Sequence, residues 1–102
     1  MTFFCIADED TVRGFRLAGI PGSAVATPEE ALTALEEALR RPEWGILILT
    51  QKTAAAIRER VESIRFERDH PLVVEIPGPE GPLEGRKSLR RLMQEAVGVS
   101  LG

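Results

Sequence analysis

The sequence has no tyrosine, one cysteine, one tryptophan and one histidine among its 102 residues. Each scarcity removes a class of chemistry. The single thiol, Cys5, excludes an internal disulfide and any multi-cysteine zinc site. The single imidazole, His70, excludes the common histidine-based metal sets. No apolar run approaches the roughly 18 residues of a membrane span; the longest, Trp44 to Leu49, is strand-sized. The first residues lack the basic, apolar and small-residue order of a signal peptide, because Asp8, Glu9 and Asp10 come too early. Positive charge is in deficit as well: 13 Lys and Arg face 16 Asp and Glu, for a net charge of −3. That balance argues against binding dominated by nucleic-acid phosphates.

What is present is the composition of an ordinary globular domain, 43% apolar and 28% charged. A chain of this length makes one domain, with an expected radius of gyration of about 13 Å. The reading is of a reduced, soluble, cytoplasmic protein.

Strand-like and helix-like segments alternate along the chain. Thr2 to Ala7 reads as a strand buried on both faces, and Trp44 to Thr50 as the centre of a parallel sheet. Gly22 to Ala26 and Leu72 to Ile76 are two further strands. The first helix is expected over Thr11 to Ala18, its start complemented by Asp8, Glu9 and Asp10 and its end marked by Gly19 and Pro21. Gly14 inside it costs roughly 1 kcal/mol relative to alanine, and close packing against the sheet would explain it. Thr27-Pro28-Glu29-Glu30 is a capping box with proline at the first helical position. The helix it opens puts Ala31, Leu32, Leu35, Ala38 and Leu39 on one face. A third helix is expected over Thr53 to Ile64, and a last one over Arg86 to Val97 with Leu89, Leu92, Met93, Ala96 and Val97 in one stripe.

Strands joined through helices by short links imply parallel pairing and right-handed crossovers. The expected fold is a three-layer α/β sandwich with a four-stranded parallel sheet in the order 2-1-3-4, receiver-like or Rossmann-like. Residues 1–77 form its core. Residues 78–85 are a connector rich in proline and glycine, and 86–102 carry the last helix, which can pack on the sheet or swing away from it.

Parallel sheets of this kind bind ligands beyond the carboxyl ends of their strands. There the sequence places Asp8, Glu9, Asp10, Thr27, Thr50 and Pro77. A cluster of acids there could hold a magnesium ion for phosphoryl transfer, as in the phosphoacceptor receiver domains of two-component signalling. Such a domain would also need an aspartate after the third strand, where Thr50 and Gln51 stand, and a lysine directly after the fourth. Helix capping is the alternative. No glycine-rich turn follows the first strand, and Gly85-Arg86-Lys87-Ser88 lacks the upstream glycine of a phosphate loop. Cys5 is expected to be buried and inert, and His70 has no neighbouring partner for a triad. No catalytic residue, cofactor or metal site is read from the sequence. The remaining feature is the cationic run of Arg86, Lys87, Arg90 and Arg91 beside the apolar stripe. It suits a solvated face, a nucleic-acid contact or a helix that docks on another protein.

Asp10 to Ile20, Gly45 to Thr50 and Val74 to Pro77 together resemble the F subunit of the V-type and A-type rotary ATPases, in its short prokaryotic form. Gln51-Lys52, where that family often has an acid, and the proline-rich connector depart from the pattern. The resemblance implies a non-catalytic subunit of the rotor's central stalk. It would bind the coiled-coil shaft (the D subunit), lie peripherally on the membrane-bound complex, and help couple ATP turnover to hydrogen-ion or sodium transport without a cofactor. It also implies a mobile C-terminal helix that contacts the shaft and can reach the B subunits. From the stripe, the residues expected to touch partners are Arg86, Leu89, Arg90, Leu92, Met93, Ala96 and Val97.

Overall fold

The computed structural model describes residues 2–79. Their elements are β1 (Thr2–Ala7), α1 (Glu9–Leu17), β2 (Gly22–Ala24), α2 (Pro28–Leu39), β3 (Trp44–Thr50), α3 (Gln51–Ala56), α4 (Arg58–Glu67) and β4 (Leu72–Ile76). The four strands form one parallel sheet in the order β2-β1-β3-β4, as the alternation of apolar strands and amphipathic helices implies. The expected last helix and most of the connector lie outside the described residues.

Topology decides which face each helix covers. The connections from β2 to β3 and from β3 to β4 run the same way across the sheet, so right-handed crossovers put α2, α3 and α4 on one face. The connection from β1 to β2 runs the other way and puts α1 on the opposite face. Two cores result. Ile6, Leu47, Leu49 and Val73 pack under Ala31, Leu35 and Ala38 of α2, Ala54 of α3, and Val61 and Ile64 of α4. Cys5 and Ala7 pack with Val12 and Phe15 of α1 and with Ile20. At the edge of the larger core the Phe4 and Trp44 rings lie 4.9 Å apart, a spacing at which aromatic pairs attract.

Several expectations are corrected. The third helix is two: Ile57, at φ −129° and ψ 36°, breaks the run between α3 and α4. β2 ends at Ala24 rather than Ala26. Only Cys5, Ile6 and Ala7 of β1 are fully buried; Thr2 and Phe3 are exposed and Phe4 is half-buried. On α2, Ala34 is buried and Leu32 is left 40% exposed. Gly14 does not pack on the sheet: a Cβ placed there meets nothing within 4 Å.

Candidate functional site

The carboxyl ends of the strands are where a fold of this shape holds small molecules. Here the polar side chains at those ends serve as helix caps. Asp8, after β1, accepts from the Thr11 amide (3.0 Å) and the Thr11 hydroxyl (2.7 Å). Thr27, after β2, accepts from the Glu30 amide (3.1 Å), while Glu30 reaches back to the Ala26 amide (2.7 Å). Thr50, at the end of β3, accepts from the Thr53 amide (3.2 Å) and its hydroxyl donates to that of Thr53 (2.8 Å). Each cap satisfies an amide that the first turn of a helix leaves without an intrahelical partner.

Electrostatics agree with that use. Burial pushes the Asp8 carboxyl up, but hydrogen bonds from the Thr11 hydroxyl and amide, and from the backbone around Asp8 and Asp10, outweigh it and hold Asp8 below the usual range. It is an ionised cap at the positive end of α1. Cys5 is fully buried, and that burial, with the Asp8 charge adding to it, pushes its thiol up to about 11. A thiol in that state is neither nucleophile nor ligand near neutrality. His70 lies at the opposite end of the sheet, its Nε2 donating to the Pro42 carbonyl at 3.0 Å. Among the described residues no three His, Cys, Asp or Glu side chains come together as a metal would require. No described helix is long and apolar enough to cross a membrane.

Charge is concentrated instead on the face covered by α2 and α4. Arg58 grips Glu75 of β4 through both guanidinium nitrogens (2.5 and 2.8 Å), and Arg65 adds a contact at 3.0 Å while donating to the Val73 carbonyl at 2.9 Å. The Arg58 hydrogen bonds outweigh burial, which acts in the other direction, and with help from Arg65 they hold Glu75 at about 2. Arg60 likewise holds Glu36 of α2 below the usual carboxylate range (3.1 Å). These pairs fasten α4 to β4 and to α2. Above them lies an open groove of about 840 Å³, with Leu32, Ala55 and Ala56 in its lining. Sequence reasoning missed this network. Its signal was a lone acid inside the apolar strand Leu72–Ile76, preceded by a helix that carries Arg58 and Arg65 two turns apart.

The structure therefore brings together Asp8, Thr27 and Thr50 at the rim, each as a cap. Arg86, Leu89, Arg90, Leu92, Met93, Ala96 and Val97, the residues expected to meet partners, lie outside the described residues.

Comparison with known proteins adds identity to this geometry. The sequence profile of the family described as ATP synthase (F/14-kDa) subunit matches residues 4–93. The chain is 38% identical to the F subunit of the A-type ATP synthase of Methanothermobacter thermautotrophicus, over 94% of this chain and 92% of that one. It is 33% identical to the F subunit of the A-type ATP synthase of Pyrococcus furiosus, over 99% and 98%. Among solved structures it is similar to the F subunit of the V-type ATP synthase from Archaeoglobus fulgidus, with a TM-score of 0.62 and 28% identity over 74% of this chain and 95% of that one.

Proposed function

Because the chain belongs to the ATP synthase F (14-kDa) subunit family of A- and V-type complexes, we propose that it works by binding rather than by catalysis, as a subunit of the central stalk. The α/β domain is a rigid adaptor, and residues 86–97 are its docking element for the coiled-coil shaft subunit. Contact between that segment and the B subunits links it to the ring where ATP is turned over. The protein sits peripherally on the membrane-bound complex through these contacts.

One observation carries the non-catalytic part of this reading: Asp8, Thr27 and Thr50 are all engaged in capping helices. A receiver-like function would need acids after β1 free to hold magnesium and an acceptor aspartate after β3; Asp8 is held by two hydrogen bonds from Thr11, and Thr50 and Gln51 stand where the acceptor would be. Incubation with magnesium and a small phosphodonor is expected to leave the mass of the protein unchanged. A gain of one phosphoryl group would support a receiver-like function instead. The binding part rests on family membership and on the apolar stripe of Leu89, Leu92, Met93, Ala96 and Val97 flanked by cations. Co-purification of the full chain with a shaft subunit tests it, and a folded chain that never associates with one removes it.

A further inference from the structure

A strand at the margin of a sheet carries unpaired amides and carbonyls that can template another chain. Short length, proline, inward-pointing charge and covered backbone groups prevent it. Among the described residues the marginal strands are β2 and β4. β2 is only three residues long. The Cys5 amide donates to the Pro21 carbonyl and the Val25 amide to the Ala7 carbonyl, so Pro21, Ser23 and Val25 face β1 and Gly22 faces outward. That outward Gly22 carbonyl is taken by Arg16 of α1 at 3.1 Å.

β4 is the greater hazard, a longer strand of sequence Leu-Val-Val-Glu-Ile with Leu72 57% and Val74 36% exposed. Backbone groups of alternate residues point to opposite sides of a strand. Pro71 and Pro77 have no N–H to give, which suits the side away from β3. The Val73 carbonyl, of the same parity, is taken by a side chain, Arg65 of α4, at 2.9 Å. Residues 71, 73, 75 and 77 therefore form the outward row, and its only amides are those of Val73 and Glu75. Glu75 also carries the inward-pointing charge, its side chain 12% exposed and paired with Arg58 and Arg65.

We propose that Arg65 is a latch that closes the outer edge of β4 against β4 of a second copy of the chain. Two such strands related by a two-fold axis at Val74 would run antiparallel, with Val73 of each opposite Glu75 of the other. They would exchange four backbone hydrogen bonds, and two of the four need the Val73 carbonyls that Arg65 occupies. The next pair outward sets Pro71 against Pro77, which can add none. With half of the pairing withheld, little is left to offset the freedom lost on association. The latch is itself held shut, because Glu75 lies 3.0 Å and Glu62 3.6 Å from the Arg65 guanidinium. Arg58 grips the same Glu75 carboxylate but leaves the Val73 carbonyl alone. A subunit that works as a single copy gains from an edge closed in this way, whatever partner its other surfaces meet.

Sedimentation velocity of the full chain over a range of concentrations tests this with no other protein present, and so apart from the stalk reading. Arg65→Met, which keeps an apolar stem in place of the arginine's, is expected to form dimers at least tenfold more tightly than the wild type. Arg58→Met removes the same charge from the same carboxylate but leaves the latch in place, and should associate no more than the wild type. Amide exchange read by NMR locates the contact: in the Arg65→Met dimer the Val73 and Glu75 amides should slow at least tenfold relative to dilute monomer. If circular dichroism shows that Arg65→Met does not fold, Arg65→Lys must give the same association, since a single ammonium does not serve both Glu75 and the Val73 carbonyl as the guanidinium fork does. A folded Arg65 variant that stays monomeric would overturn the proposal, as would a wild type that dimerises equally well. Equal association of Arg58→Met would trace the effect to the unpaired Glu75 charge instead. Dimers without added protection at Val73 and Glu75 would place the contact on the exposed Leu72 and Val74 side chains and equally overturn it.

Discussion

Gly22 and Glu75 are the residues on which the described fold makes its strictest demands. A Cβ at Gly22 would come within 2.5 Å of the Cys5 carbonyl oxygen, closer than atoms can sit without moving backbone. Gly22→Ala is therefore expected to destabilise by about 2 kcal/mol, measured by urea unfolding followed through Trp44, the one tryptophan. The sequence marks Gly22 only as a small strand residue, because the close approach depends on how β2 registers with β1. Glu75 governs the acid limb. Its carboxyl ordinarily titrates near 4.5 and is held at about 2 in the fold, so its contribution is complete above about pH 5 and is lost as pH falls from there toward 2. Glu36 and Asp8, both lowered, act in the same sense. Stability should fall between about pH 5 and pH 2, with up to about 3 kcal/mol from Glu75. Glu75→Gln should flatten that slope; an unchanged slope would mean the arginine pairs do not hold in solution.

The ends of the elements were legible because capping is written locally. Thr27-Pro28-Glu29-Glu30 announces α2, and the structure supplies the Thr27 cap. Gly19, at φ +89°, ends α1 as expected: its amide bonds the Arg16 carbonyl, and the Ile20 amide returns to Phe15. That is the Schellman arrangement, with Ile20 and Phe15 packed on the same small core beneath it. Thr27→Ala should cost about 1 kcal/mol. Thr50→Ala should cost about 2 kcal/mol, because Thr50 is buried and its loss orphans both the amide and the hydroxyl of Thr53. Equal effects in urea unfolding would contradict this ranking. The break at Ile57 was not legible. No glycine or proline marks it, and the apolar spacing of Ile57, Val61 and Ile64 continues as though one helix ran through. What the break accompanies is tertiary, the turning of Arg58 to Glu75 and of Arg60 to Glu36.

At the scale of the whole molecule, strand order followed from pattern: continuous apolar strands linked through amphipathic helices leave few arrangements. The capping role of the rim was partly legible, since Asp8, Thr27 and Thr50 could be placed there from sequence, but only the bonds to Thr11, Glu30 and Thr53 show how they are used. Among the described residues the open space beside Gly14 was not legible, because a glycine reads the same whether its flank is packed or bare. The central claim is that the protein acts by gripping other polypeptides through residues 86–97. Its most direct test is a calorimetric titration of the full chain with the isolated shaft subunit, wild type against Leu92→Asp. The account predicts a saturable complex that the substitution weakens by roughly 10- to 100-fold, about 1 to 3 kcal/mol; no complex, or an identical dissociation constant for the two proteins, would contradict it.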